Sequence, residues 1–132
     1  MVKALVVEDS VFFRQSLRDL LNNRFPSMVI EEAADGEEAL QKVDVFVPDL
    51  IFMDIKLPGE NGLQITRKLR NQFRDVSIII LTYYDSPEHR EAAFEYGANH
   101  FLPKGTPCED IVGVVQSIVS GKRPFSEDGG SG

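Results

Sequence analysis

A single cysteine, Cys108, among 132 residues leaves nothing to form an internal disulfide and fits a reducing compartment. No apolar run approaches the ~20 residues that cross a bilayer, and the N-terminus lacks a charged region followed by a signal-type core. A cytoplasmic protein without a membrane partner is therefore expected. Basic residues are outnumbered, 14 Lys and Arg against 21 Asp and Glu, a net charge of −7. That balance argues against nucleic acid binding by this domain's own surface, because gripping phosphates needs a basic face. The two histidines, His89 and His100, have no partner at metal-ligand spacing and read as a surface residue and a strand start. Hydrophobic residues at 42% and charged residues at 27% are globular values, and the length suits one domain.

What the chain does have is a set of short apolar runs, each ending in a polar residue. Ala4-Leu5-Val6-Val7 leads into Glu8-Asp9, Leu50-Ile51-Phe52-Met53 into Asp54, Ser77-Ile78-Ile79-Ile80-Leu81 into Thr82, and His100-Phe101-Leu102 into Pro103-Lys104. Short β-branched runs separated by longer amphipathic stretches predict buried parallel strands alternating with helices. Ligands in an open α/β sheet bind outside the carboxyl ends of the strands, so these polar residues converge on one crevice.

Five strand and helix pairs are predicted. Strands fall near Lys3 to Val7, Met28 to Ala33, Leu50 to Met53, Val76 to Leu81 and His100 to Leu102. Helices run from about Val11 to Asn23, from the Asp35 cap to Val45, from just after the Leu57 to Gly62 loop to Gln72, from Pro87 to Tyr96 and from Pro107 to Ser120. Phe13, Leu17, Leu20 and Leu21 form the core stripe of the first helix. Asp35 with Glu38 reads as a capping box, and Gly97 as a helix stop. The last helix carries two stripes, Ile111, Val114 and Ile118, and Cys108, Val112, Val115 and Val119, one for the core and one for a partner. The arginines of the first and third helices read as solvated faces. Residues 1–121 are expected to form the domain and 122–132, ending in Gly129-Gly130-Ser131-Gly132, a linker or tail.

Glu8 and Asp9 could cap the first helix, Asp54 could be a turn residue, and Thr82 and Lys104 could be an ordinary strand end and a solvated lysine. Their joint position favours chemistry. Carboxylates brought together repel unless a cation lies between them, and oxygen-only ligands select Mg²⁺ or a relative such as Mn²⁺. The reaction that needs this set is phosphoryl transfer to a carboxylate. Asp54 attacks phosphorus, the metal neutralises the transferring group, and Lys104 and the Thr82 hydroxyl contact its oxygens.

Glu8-Asp9, Asp54 followed by Leu57-Pro58-Gly59 and Asn61-Gly62, Thr82, Gly97-Ala98 and Lys104, in that order over Lys3 to Ser120, resemble the receiver domain of two-component response regulators. The resemblance implies a flavodoxin-like (βα)5 sandwich with a five-stranded parallel sheet in the order 2-1-3-4-5. It implies Asp54 as phosphoacceptor, and a metal held by Glu8, Asp9, Asp54 and the backbone carbonyl of Lys56. Phe101 falls at the switch aromatic, expected to turn inward on activation and reshape helix four, strand five and helix five. The donor it implies is a histidine kinase or phosphotransfer protein, with homodimer formation on phosphorylation as one output. Lys104-Gly105 and Gly121-Lys122-Arg123-Pro124 are similar to receivers of LuxR-type transcription factors, whose DNA-binding domain would lie outside this chain.

Two positions depart from the family pattern. Tyr83 follows Thr82 where a small residue is common, and Tyr84 follows it, so two large rings at the rim are expected to restrict access of the donor or a phosphatase. Tyr84 and Lys56, each two residues beyond a site residue, are expected to slow hydrolysis of the phosphorylated form. Val11 and Phe12 lie off the core stripe beside the acid pair and are expected to dock the donor. Two other classes compete. A haloacid-dehalogenase-like phosphatase resembles this chain in its aspartate, Mg²⁺ and lysine, but its second carboxylate falls at Lys56, so no turnover enzyme is expected. A flavin module needs a hydroxyl-rich loop after strand one, where Glu8-Asp9 repels phosphate.

Overall fold

A computed structural model describes residues 1–121. The expected linker or tail at 122–132 lies outside the described residues. The elements are β1 (Lys3–Val7), α1 (Val11–Arg24), β2 (Val29–Ala33), α2 (Gly36–Phe46), β3 (Leu50–Met53), α3 (Gly62–Gln72), β4 (Ser77–Thr82), α4 (Pro87–Glu95), β5 (His100–Pro103) and α5 (Cys108–Gly121). Boundaries differ from expectation by a residue or two. Met28, expected in β2, instead closes a turn through its N–H to Phe25 O (3.0 Å), and the ladder begins at Val29.

All five strands are parallel, in the order β2-β1-β3-β4-β5. Side chains alternate along each strand and so supply two cores. Leu5, Val7, Ile51, Met53, Ile78 and Ile80 face one side with Ala39 and Val43 of α2, Leu63, Ile65 and Leu69 of α3, and Ala93 of α4. Ala4, Val6, Leu50, Phe52, Ile79 and Leu81 face the other with Leu17 and Leu21 of α1 and Ile111, Val115 and Ile118 of α5. Right-handed crossovers explain this division. The chain moves one way from β1 to β2 and the opposite way through β3, β4 and β5, so α1 lies on one face and α2, α3 and α4 on the other. The direction reverses beside β1, and the crevice between the ends of β1 and β3 is the switch point where such sheets bind ligands.

Local signals behave as their chemistry requires. Asp35 Oδ1 caps α2 by accepting from Glu38 N–H (2.8 Å), while Glu38 Oε1 reaches back to Ala34 N–H (2.8 Å), one residue beyond the usual reciprocal partner. Gly97 ends α4 at φ +114°, and a Cβ there would strike the Arg70 side chain. Val47, a β-branched residue at φ +51°, ends α2 in the left-handed region, which nothing in the sequence pattern announced.

Two expectations are corrected. The arginines are not simply solvated. Arg14 and Arg18 both bind Glu32 (2.7 and 2.5 Å), and Arg70 clasps Gly97 O (3.0 Å), Phe73 O (3.0 Å), Arg74 O (2.9 Å) and Asn99 Oδ1 (2.8 Å), tying α3 to the turn before β5. Nor does α5 show two separable stripes. Val112 and Val115 are buried with Ile111 and Ile118, Val114 and Val119 are half-buried, and of the second stripe only Cys108 is exposed. The two stripes merge into one broad, largely buried face.

Candidate functional site

Glu8 and Asp54 are carried out of the core by β1 and β3, which are paired in register from Ala4 with Leu50 to Val7 with Met53. Backbone bonds continue past the strands: Asp54 N–H donates to Val7 O (3.1 Å) and Glu8 N–H to Ala33 O (3.0 Å). Both carboxylates are consequently fixed and buried. Helix α1 is capped by Ser10, whose Oγ accepts from Phe13 N–H (3.2 Å), so neither Glu8 nor Asp9 serves as its cap.

Lys104 reaches into this crevice from the end of β5. Its Nζ lies 2.8 Å from Glu8 Oε1 and 3.0 Å from Asp54 Oδ2, and its side chain is only 5% exposed. The second oxygens are also held, Glu8 Oε2 by Ser10 N–H (2.9 Å) and Asp54 Oδ1 by Ile55 N–H (2.7 Å). Burial pushes the Glu8 carboxyl above its usual range, opposed by Lys104 and Ser10 N–H and reinforced by the charge of Asp54. Burial alone would lower the Lys104 ammonium. Hydrogen bonds to Glu8 and Asp54, with their charges, outweigh it and hold the group above its ordinary value.

Asp9 is exposed beside this pair, and one carboxylate oxygen from each of Glu8, Asp9 and Asp54 lies within 4.8 Å of the others. Three carboxylates against one ammonium leave a net negative crevice with oxygen-only donors. That donor set fits a small hard divalent cation.

The remaining expected residues surround the crevice unequally. Thr82 is fully buried at the end of β4, its Oγ1 accepting from Tyr84 N–H (3.1 Å). Lys56 is exposed, as are Val11, Phe12, Tyr83 and Tyr84, with Phe12 at 81%. Phe101 is 4% exposed, packed in the core under α4 with the Arg90 guanidinium 5.0 Å over its ring. The ring is therefore buried in this structure. His89 lies with Nδ1 2.8 Å from Ser86 Oγ and its ring edge-on to Tyr84.

Three residues were missed as parts of the site. Phe13, expected in the core stripe, is half-buried and places its ring 4.4 Å from Lys104 Nζ; the helical period could not reveal this, because one stripe serves both core and crevice. Arg14 donates to Glu8 O (2.6 Å) and so braces the strand end. Gly62, expected only as part of a turn, opens α3 directly against the Asp54 backbone, and its N–H donates to Ile55 O (2.7 Å).

A doubly wound parallel sheet with an acidic crevice and an embedded lysine at its switch point defines a flavodoxin-like α/β domain of the receiver type. The chain belongs to the response regulator receiver domain family, which matches residues 4–116. It is 35% identical over 121 residues to the oxygen regulatory protein NreC of Staphylococcus carnosus (strain TM300), covering 91% of this chain and 56% of that protein. Response regulator UvrY of Escherichia coli (strain K12) is 31% identical over 128 residues, covering 97% and 59%. A two-component response regulator of the LuxR family from Aurantimonas sp. SI85-9A1, known as a crystal structure, superposes with a TM-score of 0.84 at 30% identity, covering 93% of this chain and 88% of that one. The chain spans less than three fifths of the length of either of these curated relatives. It is a signalling receiver domain, and among its described residues no helix is long and apolar enough to cross a membrane.

Proposed function

We propose that residues 1–121 act as a phosphorylation switch in which Asp54 accepts a phosphoryl group from a histidine kinase or phosphotransfer protein. The observation that carries this reading is the Lys104 ammonium bound at once to Glu8 and Asp54 (2.8 and 3.0 Å) at the sheet's switch point. Asp54 Oδ2 is the attacking atom; its other oxygen is engaged by Ile55 N–H, which fixes the plane of the carboxylate. As the Asp54–phosphorus bond forms, the bond to the donor's leaving group breaks and that group departs with the electron pair. Lys104 follows the charge from Asp54 to a phosphoryl oxygen, and the Thr82 hydroxyl contacts another. Glu8, Asp9, Asp54 and the Lys56 carbonyl would hold Mg²⁺ or Mn²⁺, which neutralises the transferring group when bound.

On this reading the protein performs its own phosphorylation and dephosphorylation in the cytoplasm and is not a turnover enzyme. Val11 and Phe12 form the docking face for the donor, and Lys56 and Tyr84 flank the approach of hydrolytic water. Similarity to a LuxR-family response regulator supports an output in transcription through a LuxR-type DNA-binding domain beyond this chain, and a homodimer formed on phosphorylation completes the proposal. Thr82 and Phe101 couple the site to α4, β5 and α5. The test is incubation with Mg²⁺ and a small phosphodonor such as acetyl phosphate, followed by intact-mass analysis. A single hydroxylamine-sensitive phosphoryl group, lost in Asp54→Asn, is expected. Equal labelling of Asp54→Asn would refute the assignment.

A further inference from the structure

Tyr83 stands in an unusual place for a large ring. It is 74% exposed, yet its ring centroid lies 4.9 Å from Lys104 Nζ, and the Phe13 ring lies 4.4 Å from the same atom. An ammonium has three N–H donors. Glu8 and Asp54 accept from it, and the two rings meet it as well. The side chain of Lys104 is 5% exposed although it ends a surface crevice, so these neighbours close it off from water.

Backbone geometry ties the ring to the lysine. Lys104 N–H donates to Thr82 O (2.9 Å), which joins the end of β5 to the residue just before Tyr83. Tyr84 N–H donates to Thr82 Oγ1 (3.1 Å), which shapes the turn that carries Tyr83. The ring is therefore carried by the same two strand ends that deliver the ammonium.

We propose that Tyr83 is a positioning residue whose ring, with that of Phe13, clamps the Lys104 ammonium against Glu8 and Asp54 and confines its movement to the line between them. The inference rests on the phosphoacceptor reading above. An ammonium over a ring face is attracted by the ring quadrupole, and more strongly when water is excluded. Swinging outward would break both ring contacts. Sliding along the carboxylates keeps them, so the ammonium is delivered to the phosphoryl oxygens as they arrive on Asp54. Tyr83 is thereby distinguished from a bulky gate, which would act only by excluding donors or water.

Side chains of similar bulk and different electronics separate the two roles. Labelling by acetyl phosphate at saturating Mg²⁺ is compared for the parent, Tyr83→Phe, Tyr83→Leu and Tyr83→Ala. The exposure of Tyr83 makes all three safe for folding. Tyr83→Phe should stay within about twofold of the parent, and Tyr83→Leu should be about fivefold slower at saturating donor, equivalent to about 1 kcal/mol of barrier. The half-saturating donor concentration should not move. A gate predicts instead that Tyr83→Leu keeps the parent rate and Tyr83→Ala is faster, and that result overturns the proposal. A parent that takes no label overturns the phosphoacceptor reading and the clamp with it; a labelled parent with an unslowed Tyr83→Leu overturns the clamp alone. A second readout needs no phosphodonor. A urea-unfolding cycle of Tyr83→Leu with Lys104→Met should give a coupling of about fivefold in the equilibrium constant, and a coupling of zero overturns the contact.

Discussion

Replacing Gly62 by alanine tests how closely the architecture holds the acid that the site depends on. A methyl group at this position would lie 2.8 Å from the Asp54 carbonyl carbon, closer still to its oxygen, and 3.1 Å from Ile55 Cα. Optimal carbon contacts are ~3.5–4.0 Å, and backbone atoms cannot rotate aside as a flexible side chain can. The start of α3 and the end of β3 must therefore part by about 1 Å, which also stretches the Gly62 N–H to Ile55 O bond of 2.7 Å. Two effects oppose each other. Alanine is the better helix former by about 1 kcal/mol, whereas overpacking costs about 1–3 kcal/mol and a weakened buried hydrogen bond adds to that. The clash should win, giving a net loss of about 1–3 kcal/mol in urea unfolding. The effect on chemistry should be larger, because a 1 Å misplacement of a reacting group costs about 100-fold in rate. Labelling of Gly62→Ala by acetyl phosphate should thus fall far more than its folded fraction does. A variant that is as stable as the parent and labels at the parent's rate would refute the claim that α3 presses on Asp54.

Other perturbations follow from the same geometry. Asp9→Asn should raise the Mg²⁺ concentration for half-maximal labelling by about tenfold or more while sparing stability, since Asp9 is exposed; an unchanged Mg²⁺ dependence would remove it from the metal site. Burial raises the Glu32 carboxyl, but hydrogen bonds from Arg14 and Arg18 outweigh it and hold the group below its usual 4.5. A depressed carboxyl contributes stability that is present above the unfolded value and is lost as pH falls through the folded one. Glu32→Gln should therefore cost about 1–2 kcal/mol near neutral pH and progressively less below pH ~4.5, read from denaturation at several pH values; a cost that does not shrink in acid would contradict the pairing. Phe101→Ala should cost about 3–5 kcal/mol, because the ring is buried in the core, while Phe101→Leu should cost less than 1.5 kcal/mol and permit a test of coupling between labelling and self-association. Equal stability of parent and Phe101→Ala would show that the ring is free to leave.

The three central strands β1, β3 and β4 were legible because they are buried on both faces and so read as nearly uninterrupted apolar runs, each ended by the polar residue that emerges at the sheet's edge. Asp54, Glu8, Thr82 and Lys104 stood out for the same reason, each sitting at the residue where a run stops or just beyond it. Capping by Asp35, Ser86 and Asn61 is local chemistry within a few residues, and Asp35 and the Gly97 stop were read from the sequence directly. Contacts between distant segments were not legible. Arg70 looks like any surface arginine until the turn at Gly97 and Asn99, 27 and 29 residues away, folds beneath it.

The residue pattern by itself determined the alternation of strands and helices, the polar residues at the strand ends and, through their order, the family. These depend on periods of 2 and 3.6 residues and on where each apolar run breaks, which are properties of neighbours along the chain. Only the tertiary structure decided that one lysine bridges Glu8 and Asp54 between two aromatic rings, that Phe101 is buried in the core, and that a glycine allows α3 to press on the acid's backbone. Each of those facts is a contact across the fold rather than a relation between residues at a helical or strand period. Such contacts are set by sheet order, crossover hand and packing of the two cores, which no local period encodes.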